Sequence, residues 1–257
     1  MHLRRANTLY CVTSALLLVT TAADAATVLV SRESELNGSY LFGAGPDTTT
    51  GGAQDSETAI DQRPSLSISD QAEDNGTVGG QTWTAFASIL AEHQFLLYEA
   101  GSSLLGISST GSSTAMTTTT GPAVATADVR NPGNKFALVF SVDAPSTYEL
   151  FVTTSDSDSG SNLGSVQLQR GNGTLWATFV SSSDETAFYT GELRTGLYRI
   201  VADARAEANG SSGSGFGSWD YDLSVSPVVI PVPAAAWLFV SGLGALWLRV
   251  ARRRRPC

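Results

Sequence analysis

Of the two histidines in this 257-residue chain, His2 lies at the extreme N-terminus, which leaves His93, in Ala91-Glu92-His93-Gln94, as the only imidazole in the body of the sequence. A Ser-His-Asp or Cys-His mechanism would have to run through His93, yet neither a Gly-x-Ser-x-Gly elbow nor a His-Glu-x-x-His pair accompanies it. A lone histidine of this kind is expected to be a hydrogen-bonded structural residue. Carboxylates are plentiful, but nothing in the sequence selects a pair with the spacing of a glycosidase. The chain is therefore expected not to be an enzyme. Its two cysteines, Cys11 and Cys257, also sit in the terminal segments, so a processed form would have neither disulfide nor thiolate metal chemistry.

Asp156-Ser157-Asp158-Ser159-Gly160-Ser161-Asn162 alternates oxygen ligands in the manner of a calcium loop. An EF-hand places Gly sixth and Glu twelfth, whereas here Gly160 is fifth and Gln167 twelfth, so this is no EF-hand. The default is an acidic turn with no cofactor; the alternative is a looser Ca²⁺ site using Asp156, Asp158 and Asn162. Asp220 and Asp222 share one strand face and read as a solvated sheet edge that resists aggregation. Asn37, Asn75, Asn172 and Asn209 each open an Asn-Gly-[Ser/Thr] sequon, and these are expected to mark turns. Trp83, Trp176 and Trp219 could form a sugar platform, but Trp176 and Trp219 fall on alternating apolar runs and are expected in the core.

These residues must be positioned by a body bounded by two specialised ends. Arg4 and Arg5, the apolar run Ala15 to Val19 and the small-residue stretch Ala22 to Ala26 follow the order of a secretory signal peptide. Ala23 and Ala25 form its cleavage motif, and residues 1–25 are removed. From Ala234 to Leu248 no side chain is charged, and Val228, Val229, Ile230 and Val232 extend the apolar stretch upstream. A helix over about 233–250 would cross a bilayer with that approach included. Arg249 and the run Arg252, Arg253, Arg254 and Arg255 would stop transfer and stay cytoplasmic, placing the body beyond the inner membrane. Behind an apolar helix, these arginines are not read as a nucleic-acid patch.

The segment Val229, Ile230, Pro231, Val232, Pro233 and Ala234, followed by the apolar helix with Ser241-Gly242 and Gly244 and then the arginine cluster, resembles the PEP-CTERM sorting signal, in its Val-Pro-Leu-Pro-Ala variant. The resemblance covers about thirty residues, 228–257. It implies an exosortase-like membrane enzyme that cuts near the proline motif and passes the protein to the cell surface or extracellular polysaccharide matrix of a biofilm. A Pro-x-Pro segment cannot be helical, so it stays extended and accessible while the helix holds it at the membrane. The commonest form of the signal has Glu between the prolines, where this chain has Val232. A plain membrane anchor that is never processed is the alternative.

The charge balance changes once the ends are set aside. The whole chain carries 15 Lys and Arg and 24 Asp and Glu, for a net charge of −9. Seven of the basic residues and Asp24 belong to the ends, so the exported body is near −15, which disfavours nucleic acid. Hydrophobic residues make up 42% and charged residues only 15%, against about 25% in typical soluble domains, which fits a folded rather than a disordered body.

From Lys135 onward apolar residues alternate at period two: Phe136, Leu138, Phe140 and Val142; Tyr148, Leu150 and Val152; Val166 and Leu168; Trp176, Thr178 and Val180; Tyr198, Ile200 and Ala202; Trp219, Tyr221, Leu223 and Val225. This is the pattern of half-buried antiparallel strands. Turn pairs lie between them, of which Asn172-Gly173 is the clearest hairpin signal. Residues 27–130 are harder to read. Strand-like pieces occur at Thr27 to Val30, Tyr40 to Phe42, Ser65 to Ser69 and Leu104 to Ile107. Asp47 to Gln62 reads as a loop, and Met116 to Pro122 as an exposed strand or connector. Trp83, Ala85, Ala87 and Ile89 alternate and read as a strand despite a rival helical stripe.

The expected fold is all-β: an antiparallel β-sandwich of jelly-roll or immunoglobulin-like kind over residues 26–226. A split near residue 120 is the alternative. The body also resembles the bacterial pre-peptidase C-terminal domain through Phe140-Ser141-Val142, Tyr148-Glu149-Leu150, Val166-Gln167-Leu168, Gly171-Asn172-Gly173, Gly196-Leu197-Tyr198 and Tyr221-Asp222-Leu223, which implies a non-catalytic accessory module. Together these features point to an exported surface or matrix protein; a carbohydrate-binding module for exopolysaccharide is the rival.

Overall fold

The computed structural model describes residues 27–57, 64–100, 103–157, 162–172, 174–183 and 186–228. The segments expected to be a signal peptide, a sorting motif and a transmembrane helix, and the arginine cluster, lie outside these residues. Among the described residues no helix is long and apolar enough to cross a membrane.

Twelve strands are formed: β1 (Thr27–Ala44), β2 (Asp47–Glu57), β3 (Ser65–Val78), β4 (Gln81–Ala100), β5 (Ser103–Thr120), β6 (Val124–Val142), β7 (Ser146–Asp156), β8 (Leu163–Asn172), β9 (Leu175–Ser183), β10 (Thr186–Leu193), β11 (Gly196–Asn209) and β12 (Ser212–Pro227). They build two six-stranded sheets. The back sheet has the order β2-β1-β6-β11-β8-β9 and the front sheet the order β10-β7-β12-β5-β4-β3. Every pairing is antiparallel. Inward side chains of both sheets share one interior, so the expected all-β, two-sheet architecture is what the chain adopts. From β5 to β12 the chain repeatedly changes sheet, so that 5-12-7-10 in the front faces 6-11-8-9 in the back. Strands β1 to β4 extend both sheets on one side.

The alternation read from the sequence sets which side chains are buried. Phe136, Leu138, Phe140, Leu150, Val152, Val166, Leu168, Ile200 and Tyr221 are fully enclosed. With Trp219, Leu223 and others they form one large-residue cluster. A second cluster fills the other half, and most of its members are alanines, including Ala85, Ala87, Ala91, Ala115, Ala125, Ala127, Ala206 and Ala208. Small side chains let the sheets approach closely there: a Cβ on Gly38 of β1 would stand 2.6 Å from Ile89 Cδ1 of β4. Trp83, Ala85, Ala87 and Ile89 are buried on β4, as their alternation predicts.

Three expectations are corrected. Asp47 to Gln62 was expected as a loop, but Asp47–Glu57 is the edge strand β2, paired with β1 from Ala44↔Asp47 to Ser34↔Glu57. Its glycines, which suggested a loop, serve packing instead, since any Cβ on Gly51 would collide with the Tyr40 ring. Trp176 is not in the core. Between β8 and β9 the register passes from Leu168↔Val180 to Gln169↔Thr178, so Phe179 is skipped. That bulge inverts the alternation, leaving Val180 inside and Trp176 half-exposed outside. Asn172 and Leu175 pair directly, so the β8–β9 hairpin exists with its turn one residue later than Asn172-Gly173.

Met116 to Thr120 is strand, the C-terminal part of β5. The described residues as far as Pro227 belong to one compact unit.

Two substitutions test the contrasting halves. Leu150→Ala in the large-residue cluster is expected to lose about 2–5 kcal/mol through its cavity. Ala127→Leu in the alanine half is expected to lose about 1–3 kcal/mol through overpacking. Urea denaturation measures both.

Candidate functional site

His93 on β4 is 3% exposed and lies on the inward face. Asn134 of β6, fully buried in the opposite sheet, donates both amide hydrogens to the front sheet, to Glu92 O and Ser112 O at 2.8 Å each. Its Oδ1 must therefore accept, and His93 Nδ1–H donates to it at 2.9 Å. This fixes the tautomer with the proton on Nδ1. Nε2 keeps its lone pair and has no hydrogen-bond partner among the described residues. Phe136 and Trp219 rings stand 5.8 and 6.2 Å from the imidazole.

Further hydrogen bonds extend this layer. Ser113 Oγ of β5 donates to Ala204 O of β11 at 3.0 Å, and Ser109 Oγ donates to Gln94 O at 3.0 Å while accepting from Trp219 Nε1 at 3.4 Å. Arg32, 2% exposed, lies 4.5 Å from the Phe95 ring centroid. Gly111, register partner of both His93 and Trp219, has no room for a Cβ because the indole lies across it. The chain makes this layer where β6 departs from regular pairing: Arg130 to Gly133 intervene between Val129 and Asn134, and Gly133 takes φ 78°. The layer is an internal brace in which the imidazole is bonded to Asn134 and flanked by the Phe136 and Trp219 rings.

The acidic loop also does structural work. Asn162, 8% exposed, donates to Ser157 Oγ at 2.8 Å and accepts the Glu207 N–H at 2.7 Å through Oδ1. Ser157 Oγ accepts in turn from Phe216 N–H at 3.1 Å. The proposed ligand oxygen of Asn162 thus ties the loop to β11. Asp158 lies outside the described residues.

Asp220 and Asp222 do share an outward face, but β12 runs between β7 and β5, so they stand mid-sheet rather than at an edge. Burial and then the neighbouring Asp222 raise the Asp220 carboxyl above the ordinary range. Of the sequons, Asn172 and Asn209 end strands, whereas Asn37 and Asn75 lie inside β1 and β3. Trp83 and Trp219 are buried, and Arg199 covers Trp176 at 4.7 Å, so the tryptophans form no platform.

The two outer faces differ in charge. Described cations occupy back-sheet strands: Arg32, Arg130, Lys135, Arg170, Arg199 and Arg205; Arg194 sits in the turn before β11. Several are paired there, Arg130 with Asp128 and Glu207 at 2.7 Å and Arg205 with Asp203 at 2.5 Å. Front-sheet strands carry ten carboxylates: Asp70, Glu73 and Asp74 on β3, Glu92 and Glu99 on β4, Glu149 and Asp156 on β7, Glu192 on β10, and Asp220 and Asp222 on β12. Among their described residues there is no Lys or Arg. On the same face Leu96, Tyr98, Leu105, Phe151 and Phe188 are exposed. Tyr98, Leu105, Phe151 and Phe188 line a shallow depression of about 340 Å³ together with Glu149 and Asp222. Sequence reasoning passed over these aromatics. The available signal was phase: Phe151 stands between Leu150 and Val152, on the side the pattern reserves for polar residues.

Burial holds the His93 imidazole below its ordinary 6.5, partly offset by Asn134. Below that pH the unfolded chain takes up a proton the folded chain refuses, so His93 contributes stability above about pH 6.5 that is lost as pH falls. Between about pH 7 and pH 5 the wild-type protein should lose more stability than His93→Gln, read as the slope of unfolding free energy against pH. Compared with known proteins, the chain matches no family model and no curated sequence.

Proposed function

We propose that this is an exported, non-enzymatic protein of the cell envelope. In this reading its C-terminal segment holds it at the inner membrane, and an exosortase-like system sorts it to the surface or extracellular matrix. The observation that carries the reading is the order of Pro231-Val232-Pro233, an uncharged apolar run and Arg252 to Arg255. The end of the last described strand is compatible with it: β12 ends at Pro227, before the proline motif, so a cut near Pro231 to Ala234 would leave every described strand whole. The inaccessibility of His93 supports a non-catalytic role.

Within the sandwich class, the facing orders 5-12-7-10 and 6-11-8-9 support a jelly roll over an immunoglobulin-like arrangement. Strands β1 to β4 would then be an extension of that roll.

Intact mass of the surface-exposed protein tests the sorting. The expected species lacks residues 1–25 and everything beyond a cut near Pro231 to Ala234. Recovery of surface protein still carrying Arg252 to Cys257 would overturn the sorting and leave a simple anchored protein.

A further inference from the structure

The exposed apolar side chains of the front sheet are ordered by its register. Leu96, Ser108, Asp222, Phe151 and Phe188 form one row across β4, β5, β12, β7 and β10. Tyr98, Gly106, Ser224, Glu149 and Thr190 form the next. At about 4.8 Å between strands, each row spans about 19 Å. Phe188 is 61% exposed, Tyr98 53% and Phe151 43%. Gly106 has no side chain to lift Tyr98 away, and a Cβ there would lie 3.5 Å from Tyr98 Cδ2. The tyrosine ring therefore lies close over the strand. Single exposed apolar residues are ordinary, but a contiguous patch among polar residues marks an interaction surface.

Charge selects the occupant. A second copy of this face would bring the same carboxylates against it, and an anionic lipid surface would be repelled as well. The described front-sheet strands carry no Lys or Arg beside Glu149 and Asp222, so charge complementarity favours a partner that brings positive charge. It must also present flat apolar faces to the rings and hydroxyl or amine groups to Ser108, Ser224 and Thr190. A basic peptide would more naturally add along a sheet edge, whereas this patch runs across the face from the edge strand β10 over β7, β12 and β5 to β4.

We propose that the outer face of the front sheet binds a polysaccharide carrying free amines. Its sugar rings stack on Tyr98, Phe151 and Phe188, and its ammonium groups pair with Glu149 and Asp222. This goes beyond the sorting reading and does not depend on it, since binding is measured on the isolated chain and sorting on the cell surface.

The test is calorimetric titration of the full-length chain with a soluble glucosamine oligomer, its fully N-acetylated counterpart and polylysine of matching length. The glucosamine oligomer should bind most tightly. Phe188→Ala and Tyr98→Ala should each weaken it about tenfold. Asp222→Asn should weaken it too and reduce its salt dependence. Leu175→Ala, exposed on the back sheet, should leave binding unchanged, and thermal melts of all variants should match the wild type. Equal binding of the acetylated oligomer would overturn the charge requirement. Equal binding of polylysine, or glucosamine binding indifferent to the aromatic substitutions, would overturn the stacking. Absence of glucosamine binding would overturn the whole proposal.

Discussion

The two sheets are held in register by buried hydrogen bonds across the core, most of them made by Asn134. Two cores of different texture, one of large side chains and one of alanines, share the long strands β4, β5, β6 and β11. Apolar packing alone would let sheets slide, because it is not directional. Asn134 reaches across from β6, giving both hydrogens to front-sheet carbonyls and its oxygen to His93. Ser113 bridges in the reverse direction, to Ala204 O. Each bond adds only about 1 kcal/mol net, but a slip would strand several buried polar groups at about 1–3 kcal/mol each. The layer therefore acts chiefly on register, and the bulge in β6 exists to aim it.

That brace holds the one mid-chain histidine inside the sandwich, bonded to Asn134, while the two outer faces differ. The back face pairs part of its charge through Arg130, Lys135 and Arg205 with Asp128, Glu207, Glu33 and Asp203. The described front-sheet strands carry carboxylates and no Lys or Arg, and set aromatic rings among the carboxylates. Surface pairs of the first kind contribute little to stability. Their effect is to confine the strong field of this acidic body to one side.

Much of this was legible in the residues. Period-two alternation located β6, β7, β8, β9, β11 and β12 and named most of their buried side chains, because burying one face demands it, but it passed over β10. Two physical effects hid the rest. Bulges break phase without changing composition, as at Phe179, where Trp176 moved from the expected core to the surface. Edge strands need few apolar residues, so β2 looked like a loop. The binding face was hidden for a related reason: Tyr98, Phe151 and Phe188 come from three strands far apart in sequence. Only the interleaving of β4, β7 and β10 into one sheet brings them together.

The placement of β12 has a mechanical side. The body's chain leaves from the end of a strand bonded to β5 on one side and β7 on the other. Tension arriving through residue 228 would load both ladders in shear along their length, so that many hydrogen bonds resist at once instead of opening one by one. A strand at the margin of the sheet could be peeled away, whereas this one would have to be drawn out from between two neighbours. A body tethered at its C-terminus would thus be held by a strand that is bonded on both sides.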